Sequence, residues 1–85
     1  MQVLIPGALR SYTKAAQVEA AGATLDALFT DLDRRYPGLR FRVVDEQCQL
    51  RPNMRIFVGG AGVRDMQHPL QPGDFVAIVL ALSGG

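Results

Sequence analysis

The sequence predicts an α+β fold in which one main helix packs on one face of a mixed β-sheet. The chain has 85 residues, a length that suits a single domain. Hydrophobic residues make up 48% and charged residues 20%, a balance typical of a globular core rather than of disorder. Two strand-like segments precede one strongly amphipathic helix, and two further strand-like segments follow it. The apolar face of a sheet must be buried against another element, and the amphipathic helix has a matching apolar face, so one helix on one sheet is the natural architecture.

Two short strand signals come before the helix. Residues 2–5 are mostly apolar and are followed by Pro6-Gly7, which indicates a strand that enters a turn. Residues 16–20 alternate weakly between polar and apolar, and we interpret them as the returning strand of a hairpin, although alanine is a poor strand former. The polar segment 11–14 between them is predicted to be a loop.

The clearest local signal is an amphipathic helix that begins after Thr24. Its apolar positions follow a spacing of i, i+3, i+4, i+7 and i+11, and they are Leu25, Leu28, Phe29, Leu32 and Tyr36. Thr24 is the predicted N-cap, and Pro37-Gly38 is predicted to end the helix. Because every local rule agrees, this segment should form the helix that covers the sheet.

The segment after the helix is less regular. Residues 39–44 fit either a helical turn or a short strand. Residues 54–58 are rich in β-branched and aromatic side chains, which predicts a strand. Residues 59–62 then predict a hairpin turn, since glycine adopts the positive φ that tight hairpins need. Residues 63–64 are predicted to fold back across that turn.

The last apolar run, residues 75–82, has the composition of a central strand. Alternate side chains of a strand point to opposite faces, so if Val76 faces the helix, Phe75 and Val79 face away from it. A sheet covered by one helix leaves that second face open, and we interpret it as a partner-docking surface. The alternative is that exposed apolar residues are common and need no function.

Composition and charge exclude several classes of function. The formal net charge is +1, which gives no general electrostatic attraction to nucleic acid. The one cysteine, Cys48, excludes an internal disulfide framework and a four-cysteine metal site. The sequence has no stretch of roughly eighteen apolar residues that would span a membrane, and its first residues lack the features of a signal peptide. We therefore expect a cytoplasmic protein with no metal site, nucleic-acid partner or membrane partner.

The remaining motifs do not predict catalysis by this chain alone. The glycines of residues 59–62 lack the spacing and the Lys-Ser/Thr of a phosphate loop. Cys48 and His68 are far apart in sequence, so a nucleophile–base pair would need tertiary contact, and we interpret both as incidental. Asp31 and Asp33, with the two arginines that follow, have the pattern of a solvated helix face.

The end of the sequence, Ser83-Gly84-Gly85, offers a sharper hypothesis. Two glycines carry no Cβ and adopt backbone angles that other residues avoid, so such a tail can thread a narrow channel. It would then present its terminal carboxylate to a separate active site. The alternative is a frayed chain end without function.

Taken together, these motifs resemble those of the ThiS/MoaD family of sulfur-carrier proteins, and the resemblance covers nearly the whole chain. The matching motifs are, in chain order, Pro6-x-x-Leu9-Arg10, Thr24-Leu25-x-x-Leu28-x-x-x-Leu32-x-x-x-Tyr36-Pro37-Gly38-Leu39, Ile56-Phe57-Val58-Gly59, Leu70-x-x-Gly73-Asp74-x-Val76-x-Ile78 and Gly84-Gly85. Three positions depart from the pattern: Gly59 stands where Asn is common, Leu80 where Pro is common, and Ser83 where Ala is common. These departures bear on which activating enzyme recognises the chain.

The resemblance implies a ubiquitin-like β-grasp fold, with a mixed sheet of about four to five strands packed on one main helix. It divides the chain into a domain of residues 1–82 and a flexible diglycine tail of residues 83–85. It also implies that Phe57, Phe75 and Val79 dock partner enzymes.

The function that the resemblance implies is centred on Gly85. A MoeB/ThiF-like adenylyltransferase would use ATP and Mg²⁺ to adenylate the Gly85 carboxylate, and a sulfur donor would convert it to a thiocarboxylate. An acceptor synthase, MoaE-like or cysteine-synthase-like, would receive the sulfur while Ser83 and Gly84 lie in its tail channel. The chain itself would be no enzyme and would bind no cofactor.

Several alternatives stay open at the level of sequence. The loop and helix-stop motifs are closest to MoaD-like and cysteine-biosynthesis carriers, so the acceptor pathway is of molybdopterin or cysteine type. A ubiquitin-like modifier that is conjugated to lysines through Gly85 would use the same activation chemistry. A β-grasp interaction module without carboxylate chemistry is the third possibility.

Overall fold

The computed structural model describes residues 1–81, which form one sheet and the helices that pack on it. Within these residues the strands are β1 (Gln2–Leu4), β2 (Gln17–Glu19), β3 (Met54–Val58), β4 (Ala61–Val63) and β5 (Phe75–Leu80). The α-helices of the same residues are α1 (Arg10–Thr13), α2 (Leu25–Arg35) and α3 (Leu39–Val43), and a 3₁₀ turn spans Gly7–Leu9.

The sheet is mixed, and β5 lies at its centre. The strand order is β2-β1-β5-β3-β4, with β1 parallel to β5 and the other neighbouring pairs antiparallel. The predicted central position of the last strand is therefore confirmed. The strand ends at Leu80, two residues before the predicted end, and Leu82 lies outside the described residues.

Helix α2 forms as its local sequence predicts. The Oγ1 of Thr24 accepts a hydrogen bond from the backbone N–H of Ala27 at 3.2 Å, which satisfies one of the free N–H groups of the first turn. The helix ends at Arg35, and Gly38 turns the chain at φ 94° before α3 begins. The apolar face of α2 packs on the sheet, and its fully buried side chains are Leu25, Leu28, Phe29 and Leu32.

The approach of the chain to α2 depends on Gly22. A Cβ placed on Gly22 would lie 2.4 Å from the backbone nitrogen of Leu28, closer than any real contact. The backbone between β2 and α2 thus passes directly against the helix, and only glycine leaves room for this contact.

One segment differs from its sequence prediction, and another settles an alternative that the sequence left open. Residues 11–14, predicted to be a loop, lie mostly in the helical turn α1, because Leu9 and Thr13 stand four residues apart and both point into the core. The hydroxyl of Thr13 donates to the carbonyl of Ala15 at 2.7 Å, so this polar side chain is buried at low cost. Because Thr13 is polar, the sequence shows no apolar spacing that would predict the helix. Residues 39–44, which fit two structures equally, form the helix α3 up to Val43.

The acidic residues of α2 are structural rather than simply solvated, contrary to the prediction. The backbone N–H of Ala21 donates to Asp31 Oδ2 at 3.0 Å, and Arg34 and Arg35 pair with the same carboxylate. The Ala21 N–H, with the Arg34 and Arg35 guanidinium groups, lowers the pKa of Asp31 to about 2.

Asp33 has a second structural role, at the junction of α2 and α3. Its Oδ1 accepts from the backbone N–H of Gly38 at 3.0 Å and from that of Arg40 at 3.3 Å. These bonds satisfy N–H groups at the start of α3, where the N-cap residue is a glycine and has no side chain to do so.

The core lies between the sheet and the helices. Its buried apolar members are Val3, Ile5, Leu9, Val18, Ala20, Leu25, Leu28, Phe29, Leu32, Leu39, Val43, Val44, Leu50, Met54, Ile56, Met66, Leu70, Val76 and Ile78. Among the described residues, none of the helices has the length and apolarity needed to cross a membrane.

Candidate functional site

The face of the sheet that points away from the helices carries an apolar surface. Phe75, Ala77 and Val79 of β5 point to this face, and Phe57 of β3 lies directly opposite Ala77. Phe75 is 45% exposed and Val79 is 39% exposed, whereas Ala77 and Phe57 are partly covered. We call these four residues the outer sheet surface. The predicted direction of Phe75 and Val79 is confirmed.

Small neighbours keep the outer sheet surface flat around Phe57. Ala77 is its cross-strand partner on one side, and Gly62 is its partner on β4. A Cβ on Gly62 would lie 3.7 Å from Cε1 of Phe57, which shows that the ring lies over this glycine. An aromatic ring between two small residues presents its apolar area to solvent or to a partner.

Polar residues border the outer sheet surface at two ends. Arg55 pairs with Val79 across the strands, and its guanidinium donates to the carbonyl of Pro52 at 2.7 Å. At the other end Gln2 pairs with Phe75 and donates from Nε2 to the Glu19 carboxylate at 2.7 Å. An apolar centre with a polar rim is the usual anatomy of a protein–protein interface. The docking role of Phe57, Phe75 and Val79 itself stays a prediction.

Strand β5 anchors the part of the chain that precedes the predicted tail. This strand is hydrogen-bonded to β1 on one side and to β3 on the other, and the backbone N–H of Ala81 still donates to the carbonyl of Asn53 at 2.8 Å. The chain is therefore anchored up to the last described residue. The predicted site residues Ser83, Gly84 and Gly85 lie outside the described residues.

A groove that the sequence did not reveal lies next to this anchored end. Its volume is about 350 Å³, and its lining includes Phe41, Arg42, Arg51 and Leu80. Phe41 is 56% exposed, more than any other large hydrophobic residue among residues 1–81. No sequence signal pointed to it, because residues 39–44 show no clear periodicity.

Cys48 and His68 do not form a catalytic pair in the structure. The Sγ of Cys48 is 3.5 Å from Nη2 of Arg40, and no hydrogen bond among residues 1–81 joins it to His68. Arg40 is held by the Asp26 carboxylate at 2.6 Å, and although partial burial opposes its charge, this ion pair raises the pKa of Arg40 above its usual value.

The glycines after β3 form a hairpin turn, as predicted, and not a phosphate loop. Gly59 and Gly60 have φ values of 56° and 89°, and they connect the cross-strand pair Val58 and Ala61. Two central residues with positive φ are the mark of a tight two-residue hairpin. Ala61 and Gly62 belong to β4 rather than to the turn.

Comparison with protein families assigns this sequence to a known group. The model of the ThiS family matches residues 3–85, nearly the whole chain. The chain belongs to the ThiS family. The predicted resemblance is thereby confirmed.

Relatives of this ThiS-family chain agree with that assignment. It is 34% identical over 89 residues to the sulfur carrier protein CysO of Mycobacterium tuberculosis strain H37Rv, a match that covers 98% of this chain and 96% of the relative. It also matches a chain of the Amycolatopsis orientalis BexX/CysO complex with a TM-score of 0.91 and 32% identity, covering 99% of this chain and 98% of the other.

A more distant structure supports the fold alone. Small archaeal modifier protein 1 of Haloferax volcanii matches with a TM-score of 0.79 at 22% identity, covering 100% of this chain and 98% of the other. The mixed sheet and these structural neighbours confirm the predicted ubiquitin-like β-grasp fold.

Proposed function

We propose that this ThiS-family chain is a sulfur carrier of the CysO type, a substrate of partner enzymes rather than a catalyst. The observation that carries the proposal is the likeness to sulfur carrier protein CysO over nearly the full length of both chains. The site geometry supports it, because the central strand leads directly towards a diglycine.

The reactive group in this proposal is the carboxylate of Gly85. A carboxylate resists nucleophiles because it is negatively charged and resonance-stabilised. A MoeB/ThiF-like adenylyltransferase would use ATP and Mg²⁺ to attach AMP to one carboxylate oxygen and release pyrophosphate. AMP is a good leaving group, so the acyl carbon becomes reactive.

The second step replaces the AMP by sulfur. A sulfur donor attacks the acyl carbon, the bond to the AMP oxygen breaks, and AMP leaves. Where the donor is a persulfide, a thiol must then cleave the remaining S–S bond. The product is the Gly85 thiocarboxylate, which transfers its sulfur to the acceptor enzyme.

The described structure suits a tail that must enter another protein. The hydrogen bonds of β5 and Ala81 fix the point from which the tail starts. The four residues 82–85 span at most about 14 Å when fully extended. A partner must therefore approach this end of the sheet closely, and the outer sheet surface is available for that contact.

The relatives favour one acceptor pathway over the other. CysO-type carriers point to a cysteine-synthase-like acceptor rather than to a MoaE-like molybdopterin synthase. A CysO of Amycolatopsis orientalis forms a complex with BexX, which supports docking of this chain on a protein partner. We place the activity in the cytoplasm, because the activation step consumes ATP.

Mass spectrometry of the protein from its native host tests the proposal. Replacement of oxygen by sulfur at Gly85 adds about 16 Da. Oxidation of methionine or cysteine adds nearly the same mass, so the shift must be located. Cleavage before Asp74 releases residues 74–85, which contain neither methionine nor cysteine. We expect the added mass on this peptide, and we expect a thiol-alkylating reagent to modify it.

Deletion of Gly84-Gly85 is the matched control. The shortened protein should fold normally, since the core lies within residues 1–81, but its C-terminal peptide should carry no sulfur. A wild-type protein that appears only in isopeptide conjugates with lysines of host proteins, and never as a thiocarboxylate, would contradict the carrier function and favour a modifier. If the deletion variant supported its partner enzymes as well as the full chain does, the protein would be an interaction module without carboxylate chemistry.

A further inference from the structure

The groove beside the anchored end of β5 combines an exposed aromatic ring with two arginines. Phe41 and Arg42 come from α3, Arg51 comes from the turn before β3, and Leu80 is the last residue of β5. Leu80 and the outer sheet residue Val79 are neighbours in sequence, and their side chains point to opposite faces of the strand. The groove and the outer sheet surface thus flank the base of the tail from two sides. We call the groove that Phe41, Arg42, Arg51 and Leu80 line the arginine groove.

Arg51 is held in position rather than free to move. Its Nε donates to the backbone carbonyl of Phe41 at 2.7 Å, and its Cζ lies 4.5 Å from the centre of the Phe41 ring. The stacking of a guanidinium on an aromatic ring is favourable and restricts its rotation. The exposed ring of Phe41 is therefore a platform that fixes the direction of the Arg51 charge.

The arginine groove has positive charge without a matching acid. No aspartate or glutamate belongs to the described residues that line it. Among residues 1–81, the terminal nitrogens of Arg51 and the side chain of Arg42 take part in none of the hydrogen bonds or ion pairs. Asp33, Asp45 and Glu46 line a separate pocket that shares only Phe41 with the groove. Glu19 and Asp74 lie at the opposite end of the sheet, where β1 and β5 begin. A fixed guanidinium with free donors is suited to a carboxylate, which it binds with two parallel hydrogen bonds.

We propose that the arginine groove binds an acidic segment of the adenylyltransferase, at the mouth of the channel that receives the tail. This inference rests on the proposed function, in which every activation cycle brings that enzyme around the base of the tail. Because Leu80 lines the groove with Arg42 and Arg51, an enzyme that encloses the residues after Leu80 comes close to both arginines. The apolar outer sheet surface supplies contact area, and the arginines supply charge complementarity that fixes orientation and speeds association.

Charge reversal in the arginine groove tests the inference. The probe is the host's adenylyltransferase, and the readout is carrier-dependent exchange between pyrophosphate and ATP. The double variant Arg42→Glu/Arg51→Glu should raise the KM for the carrier about tenfold or more, because long-range steering is lost and carboxylates now face carboxylates. The kcat should stay unchanged, since the inference gives both arginines a role in docking and none in the chemical step. The KM of the wild type should rise with salt, and that of the variant should not.

Arg34→Glu provides the matched control. Arg34 lies on α2, is exposed, and does not line the groove, yet its replacement changes the net charge in the same direction. Its KM should equal that of the wild type. Far-UV circular dichroism and thermal unfolding would confirm that each variant folds. If the double variant does not fold, Arg42→Glu alone should still raise the KM, because the side chain of Arg42 takes part in no hydrogen bond or ion pair among residues 1–81 that the substitution would break.

The outcomes separate this inference from the proposed function. If the double variant or Arg42→Glu is activated with the wild-type KM, or if Arg34→Glu raises the KM as much, the inference is overturned. If the wild-type chain supports no exchange at all, the proposed function fails instead.

Discussion

The two faces of β5 are built from the same class of residue but meet different surroundings. Val76 and Ile78 are 0% and 1% exposed beneath the helices, whereas Phe75 and Val79 on the other face are 45% and 39% exposed. Hydrophobicity alone does not distinguish the two sets. What separates them is the strand register together with a helix that covers only one side of the sheet.

This difference indicates how the chain divides its apolar residues between stability and contact. The covered face supplies the free energy of folding, because its side chains leave water when the chain folds. The outer sheet surface contributes less to folding, because Phe75 and Val79 keep 45% and 39% of their surface exposed, and this exposed area is available to a partner. A sheet with one covered face thus allows neighbouring residues of one strand to serve the two purposes separately.

The largest expected effect compares two neighbouring residues of β5. Ile78→Ala should lower the free energy of unfolding by about 2–5 kcal/mol, because it leaves a cavity in the core. Val79→Ala should lower it by less than about 0.5 kcal/mol, the usual range for surface positions. Urea unfolding of both variants measures the difference. Equal losses for the two variants would show that the faces do not differ in the way that their exposure indicates.

The second prediction concerns a substitution on the outer sheet surface that should affect binding rather than stability. Phe75→Asp should change the free energy of unfolding little, because the side chain is 45% exposed. It should weaken binding to the adenylyltransferase by about 1 kcal/mol or more, since aromatic residues dominate interface energies. Calorimetric titration and thermal unfolding give the two quantities.

Ala27→Asp is the control for Phe75→Asp, since it adds the same charge at an exposed position of α2. It should leave binding unchanged. A variant with Asp at position 75 that does not fold would show that Phe75 contributes to the core, and unchanged binding would remove it from the docking surface.

The fold was largely predictable because its main signals are local. The caps and the apolar stripe of α2 lie within one stretch of sequence, and the alternation in β5 predicted which side chains face outward. The helical turn α1 was missed because its buried position 13 is a threonine, whose polarity is satisfied by its own neighbourhood. A search for periodic apolar residues does not detect a buried position that a polar residue occupies.

The candidate site was predictable only in part, for a different reason. The tail and the outer sheet surface follow from residues close together in sequence. The arginine groove is formed by α3, the turn before β3 and the end of β5, so its members are brought together by tertiary packing alone. The role of Asp31 was equally hidden, because its principal partner is a backbone N–H ten residues away.

The smallest expected effect concerns a polar contact on the covered side of the sheet. The pKa of Asp31 is about 2 in the folded chain, below its ordinary value of 3.8, because the Ala21 N–H, Arg34 and Arg35 favour the carboxylate. A lowered pKa contributes stability that is fully present above pH 3.8 and is lost as the pH falls towards 2. Asp31→Asn removes the charge, so the stability gap between wild type and variant should shrink across this window. Urea unfolding at a series of pH values measures the free energy of unfolding of each protein.

Glu46→Gln is the control, because it removes one charge in an exposed turn without breaking a contact among residues 1–81. Its free energy of unfolding should follow that of the wild type as the pH falls. Parallel curves for the wild type and Asp31→Asn down to pH 2 would show that this carboxylate does not stabilise the covered side, and that apolar burial alone distinguishes the two faces.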